Sequence, residues 1–275
     1  LGTKIHDKLE EIINGKATEV ELLPTLQEEL SDLDMLNIDF PKDFKGGTSI
    51  RDNWIADMTH CCKHFVKPSG NFTTEELVIY KINEDRYVQG YIDLIRHNKD
   101  GSISIYDWKT SSDFKSKDLL HNGRQLVFYA LAKEQEGFKV KNVAWIMLKY
   151  VEVSFMGKAR VNSKKETLLT KVYNRGKLVK ELYPYLETDL NKLGVDEIET
   201  DILLDNALNS NSLDGLPKEI QDKYTIKPYV KEYKITEKLK QETLDYINKM
   251  ADIFESKSDD ENEWQPREFT VTSKN

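Results

Sequence analysis

Apolar positions along this chain recur first at helical spacing and then, through its middle, at every second residue. In residues 3–13, Ile5, Leu9, Ile12 and Ile13 form one stripe, and Thr3 can cap the helix. A second helix is predicted near 21–30, ahead of a loop broken by Pro41, Gly46 and Gly47. Residues 49–65 return to the helical period. Ile50, Trp54, Met58, Cys61, Cys62 and Phe65 are expected to face inward there, and Pro68 and Gly70 to end the segment. The character then changes. "EELVIYKI", "RYVQGYIDLI" and "SISIYDWKT" read as strands, the last two joined by a hairpin at Asp100-Gly101. A helix over about 119–135 and a long strand over 140–155 follow. Residues 164–193 are expected to be helical, kinked or broken at Pro184, while 200–228 show no clear period. A final amphipathic helix is predicted over 236–255, before an acidic solvated stretch, "SKSDDENE". The order predicts an α/β (α+β) domain with a mixed central sheet and helical elaborations.

Charge and cysteine content narrow the classes. No apolar run approaches the roughly 20 residues that a membrane helix needs, so no membrane partner is expected. A net charge of −8 argues against a generally basic nucleic-acid coat. The average hides a local contrast, because residues 157–180 hold eight basic side chains against one acid. Such a segment suits either a phosphate backbone or a solvated lysine-rich face. Cys61 and Cys62 are adjacent and give no disulfide framework, and no signal peptide is visible, so a reducing cytoplasm is the expected setting. His60 and His64 stand four apart and could share a zinc ion, but no third or fourth ligand is evident nearby.

The chemistry-bearing candidates lie on the strands. Ile103, Ile105, Asp107 and Lys109 alternate, so they should share one face. A charged pair continuing an apolar face needs compensation, which a cation and a phosphate would supply. Asp93, on the preceding strand, should be brought beside Asp107 by the hairpin. Two such carboxylates repel unless one is protonated or a divalent ion bridges them. Oxygen ligands suit Mg²⁺ or Mn²⁺. The alternative is a structural Asp–Lys pair with Asp93 at a strand end.

The segments "GYIDLI", "ISIYDWKTSS" and "GRQLVFYALA", in that order, resemble the PD-(D/E)xK nuclease superfamily, specifically its RecB-like exonuclease branch. The opening "LGTKIHDKLEE" is similar to that branch's early histidine motif. The resemblance covers roughly residues 2–20 and 75–150. It implies a restriction-endonuclease-like domain spanning 1–275. The core motifs would lie in 1–20 and 75–155, with a helical insertion about 20–70 and a helical C-terminal elaboration about 160–275. It implies metal binding by His6, Asp93, Asp107 and the backbone carbonyl of Trp108, with one or two Mg²⁺ or Mn²⁺ ions. Lys109 would be the catalytic lysine, with Gln125 and Tyr129 supporting it from one helix face. Glu10, one turn after His6, is expected to pair with a lysine. Relatives that hold an iron–sulfur cluster use four cysteines, so the two here imply no such cluster.

The function implied is a DNA exonuclease of recombination or repair, in a bacterial or phage setting. Single-stranded DNA or DNA ends would be its substrate, and a helicase or recombinase a partner. Lys115, Lys117, Arg124, Lys158, Arg160, Lys164 and Lys165 are the expected DNA contacts, with Tyr173 or Phe155 stacking on unpaired bases. Two other readings stay open: a catalytically silent DNA-binding or scaffold domain on the same fold, and a structure-specific endonuclease. Oligomeric state is not legible in the residues.

Overall fold

Helix α1 (Thr3–Ile13) buries Ile5, Leu9, Ile12 and Ile13, the stripe expected of it. Its cap differs from expectation. Gly2 takes the N-cap position at φ +90°, and Thr3 begins the helix. A left-handed residue is easiest without a Cβ, and one built on Gly2 would stand 2.6 Å from Thr110 Oγ1. The Gly2 amide donates to Glu29 Oε1 at 2.5 Å, on α2 (Leu22–Met35). Helix α3 (Ile50–Lys63) starts at Ser49, whose side chain accepts from the Asp52 amide at 3.0 Å. In this computed structural model the described residues are 2–38, 49–158 and 166–257, with the side chains of Ser116 and Lys117 outside that set.

Among the described residues the central sheet has six strands: β1 (Asn71–Lys81), β2 (Tyr87–His97), β3 (Ile103–Lys109), β4 (Val140–Lys158), β5 (Glu166–Asn174) and β6 (Thr225–Tyr233). Strands β1, β2 and β3 form an antiparallel meander. The β2–β3 hairpin closes at Gly101, φ +79°. Helix α4 (Ser116–Gln135) then crosses over so that β4 runs parallel to β3. Beyond its pairing with β3, β4 continues as one strand of an antiparallel pair with β5, while β6 pairs antiparallel with β4 as well.

The region 164–193 departs from its predicted helix. Glu166–Asn174 is strand β5, and only Leu178–Leu193 is helical, as α5. The "LL" and Val172 spacing imitates a helical stripe. In the structure Leu169, Lys171 and Tyr173 instead alternate with the exposed Leu168, Thr170 and Val172, and pairing along β4 outweighs propensity. Pro184 sits inside α5 rather than ending it. Helices α6 (Glu197–Ser210) and α7 (Lys218–Gln221), then β6 and α8 (Glu237–Ser256), complete the described chain. The C-terminal elaboration is therefore not purely helical, since it donates two strands to the sheet.

Packing forms three apolar clusters. One lies between α4 and the sheet, built on Val78, Ile92, Ile105, Leu126, Trp145 and Met147. The second joins α1, α2 and α3 to Leu94, Trp108 and Leu148. The third places Val151, Val153 and Phe155 against α5 and α6. Trp145 and Met147 belong to the α4 cluster, but past a register irregularity between Met147 and Val151 the odd-numbered positions belong to the third cluster. A bulge is the device that lets one long strand change its apolar side. Ile50, expected inward, is 45% exposed because it begins α3 beside the cap. Phe155, offered above for stacking on bases, is 2% exposed between Tyr185 and Tyr224. Among the described residues no helix is long and apolar enough to cross a membrane.

Candidate active site

Strand β3 carries an acid and a lysine at its C-terminal end. Asp107 follows the buried Ile103 and Ile105 on one face and is itself 1% exposed. The β2–β3 ladder runs from His97↔Ile103 to Leu94↔Tyr106 and stops there. The next step would oppose Asp93 and Asp107. Instead the Asp93 side chain turns to main chain, and Trp108 N–H donates to Asp93 Oδ2 at 2.8 Å. The two carboxylates feel each other. Burial, and then the Asp93 charge, raise the Asp107 carboxyl to about 7, against the opposing pull of Lys109.

The lysine answers that charge. Lys109 Nζ lies 2.5 Å from Asp107 Oδ2. It also reaches Gln125 Oε1 at 3.4 Å, and Gln125 Nε2 donates to Tyr129 Oη at 2.8 Å. Gln125 and Tyr129 are one helical turn apart on α4, so the helix presents them as a pair to the strand. Tyr129 is 4% exposed, and burial pushes its hydroxyl up to about 12, so it remains a neutral hydroxyl that accepts from Gln125. Gly90 on β2 lets α4 come this close. A Cβ there would stand 3.0 Å from Phe128 and 3.2 Å from Tyr129 ring carbons.

His6 enters from α1, with Nδ1 3.9 Å from Asp93 Oδ2. Burial lowers its pKa, and Asp93 works in the opposite sense. A neutral imidazole has a lone pair free for a metal. Glu10 has no lysine partner among the described residues. It accepts from Asn14 Nδ2 at 3.4 Å, and Lys8 pairs with Glu11 instead.

Glu75 was not found by sequence reading. It sits at φ 47° in β1, between the register pairs Thr74↔Leu94 and Glu76↔Ile92, so it stands across from Asp93. Burial, then Asp93, Glu10 and Asp7, push its carboxyl up. In "TTEELVIY" it reads as a solvated strand residue, and only the left-handed backbone sets it apart. Such strain collects at functional positions.

The expected DNA contacts separate. Lys115 is exposed at the N-cap of α4, and Lys158 is exposed at the end of β4. Arg124 stacks its guanidinium 4.3 Å over the Tyr246 ring of α8. Arg160, Lys164, Lys165 and the side chain of Lys117 lie outside the described residues.

Among the described residues no three His, Cys, Asp or Glu side chains converge as a ready metal cage. The donor set is two neighbouring carboxylates, Asp93 bonded to main chain and Asp107 buried and paired with an ammonium group. Mg²⁺ is bound in this way, through one or two carboxylates while keeping waters and substrate phosphates as further ligands. The residues therefore fit a hard divalent ion. Among the described residues nothing joins His60 and His64 as a zinc ligand: their rings lie 4.4 Å apart at a tilt of 33°, and Cys61 and Cys62 are packed in the apolar cluster beside α1.

A family model described as the PD-(D/E)XK nuclease superfamily matches residues 1–201. The chain belongs to that superfamily, whose nucleases act on DNA and generally use divalent metals such as Mg²⁺ or Mn²⁺. A search of curated proteins returns no match.

Proposed function

We propose that this PD-(D/E)XK nuclease is an Mg²⁺- or Mn²⁺-dependent exonuclease acting on DNA ends in the RecB-like manner, within recombination or repair. The observation that carries the reading is the contact of Lys109 with Asp107 at 2.5 Å, beside Asp93. Asp93, Asp107 and the Trp108 carbonyl would hold the metal, with His6 available as a further ligand. When bound, the metal polarises a phosphate and lowers the pKa of a water. Lys109, held between Asp107 and Gln125, is placed beside the carboxylates that would hold the ion. Its ammonium can then hold the attacking water or stabilise the charge growing on a non-bridging phosphate oxygen. The water oxygen attacks phosphorus and gives up a proton to solvent, one bridging P–O bond breaks, and the departing oxygen takes a proton from solvent. Tyr129 keeps the Gln125 amide oriented, with its oxygen towards Lys109. Lys115 and Lys158 supply exposed positive charge for the DNA backbone.

Cleavage of end-labelled linear and closed circular single-stranded DNA tests this, with Mg²⁺, Mn²⁺ or EDTA and with Lys109→Ala beside the wild type. Metal-dependent loss of linear DNA alone, abolished in the variant, is the expected result. Cleavage of circles makes the enzyme an endonuclease. Metal-independent DNA binding without cleavage, by folded protein, returns the reading to a silent binding domain.

A further inference from the structure

On the sheet face opposite α4, a cavity of about 500 Å³ opens between α3 and the residues that begin α5. Phe65, Phe72, Tyr106, Trp108, Leu148 and Val230 make its wall mostly apolar. Volume and lining are those of a small-molecule site rather than a packing defect. Its polar groups are unusual. Arg175 is 5% exposed, its Nε is buried without a hydrogen-bond partner, and it forms no ion pair among the described residues. A guanidinium cannot shed its charge. Its Nε left buried without an acceptor is costly, and an anion beside it removes the cost. His60, 7% exposed on the same wall, also keeps a buried Nδ1 without a partner. Burial, then His64 and Arg175, lower its pKa to about 3, so it is a neutral hydrogen-bonding group at pH 7. Asp214 lines the cavity too but makes no ion pair with Arg175.

We infer that this cavity binds an organic monoanion with an apolar, ring-sized body, its anionic group held by Arg175 and His60 and its body against Phe72 and Trp108. The occupant combines one charge with hydrophobic surface, because the buried part of the wall offers the unpartnered Arg175 Nε and His60 Nδ1 among apolar side chains, while Arg96, Lys227 and Asp214 line the cavity from exposed positions. The site is separate from Asp93 and Asp107 and does not depend on nuclease activity.

The probe is 8-anilinonaphthalene-1-sulfonate, titrated by fluorescence against the folded chain, beside its uncharged analogue N-phenyl-1-naphthylamine. Saturable binding of the sulfonate, with energy transfer from tryptophan, is expected. Arg175→Met should weaken the sulfonate at least about tenfold and the neutral analogue less than about twofold, the difference expected for one charge-assisted contact. Should that variant fail to keep a cooperative melt, Val230→Trp, on a half-exposed strand position, fills the cavity and should displace both dyes. Equal weakening of both dyes by Arg175→Met, or unchanged sulfonate binding in either folded variant, overturns the inference.

Discussion

Asp93 Oδ2 accepts a hydrogen bond from the Trp108 amide at 2.8 Å, at the point where β2 and β3 cease to pair. A carboxylate stands where a main-chain carbonyl would continue the ladder. The strand's own hydrogen bonding thus fixes where Asp107 and Lys109 project, and Asp93 both shapes the site and charges it.

That double role can be split by substitution. Asp93→Asn keeps an acceptor for the Trp108 amide and removes the negative charge. Folding stability should stay near wild type, while metal-dependent cleavage falls by on the order of 100-fold or more. Asp93→Ala should lose activity equally and also cost about 1–3 kcal/mol, because a half-buried amide loses its partner. Urea unfolding and cleavage assays in one buffer check both. An Asn variant with full activity would remove Asp93 from the metal site.

The raised Asp107 carboxyl makes stability without metal depend on pH. Its folded value is about 7 against an ordinary carboxyl value of 3.8. Between those values the unfolded chain has released a proton that the folded chain retains, so stability falls as pH rises from about 4 to 7. Each unit of difference corresponds to about 1.4 kcal/mol at most. In EDTA, the melting temperature should decline across that window, and Asp107→Asn should flatten the decline while abolishing cleavage. Added Mg²⁺ should raise the wild-type melt most above pH 7 and leave the variant unmoved. A wild-type melt that climbs through the window in EDTA would contradict the assignment.

Much of this was legible in residues 75–135, because strand alternation and a tight hairpin leave few choices. With Ile103 and Ile105 inward, Asp107 had to follow them, and Asp100-Gly101 set the register that brings Asp93 close. The pairing of Gln125 with Tyr129 follows from helical spacing. Beyond residue 160 the same reasoning places the last helix, found as α8, but misses β5 and β6, which take their conformation from pairing with β4 rather than from their own period. Glu75 escaped because its position depends on a backbone angle, which no residue pattern encodes for glutamate. Arg175 was counted with a basic surface, yet it is buried. Charge runs do not say which member faces inward.

Gly90 offers a test of how closely α4 must approach. Gly90→Ala places a methyl 3.0 Å from Phe128 Cε1 and 3.2 Å from Tyr129 Cε1. Both rings sit in the packed α4 cluster, so the few tenths of an ångström that the methyl needs are taken up by rings and helix together. Overpacking of this kind costs about 1–3 kcal/mol. Since Tyr129 and Gln125 move with the helix, cleavage should fall by about tenfold or more with Lys109 itself intact. Equal melting temperatures and rates for the two proteins would show that the glycine is incidental.

A buried ion pair away from the site should matter more to folding than to cleavage. Asp57 on α3 is 2% exposed. It accepts from the Gly176 amide at 2.8 Å and from Asn174 Nδ2 at 3.2 Å, and lies 3.6 Å from Lys149 Nζ on β4. The cluster ties α3 to the chain between β5 and α5. Asp57→Ala would leave a buried ammonium and a buried amide unpaired, at a cost of about 3–5 kcal/mol. Lys149→Met alone leaves a buried carboxylate that still has two donors, so it should cost less. In the double variant the uncompensated charges vanish together, and much of the loss should be recovered. Urea midpoints of the two single variants and the double variant measure the coupling directly. Additive losses would mean that Asp57 is held by its amide donors and that Lys149 contributes only packing.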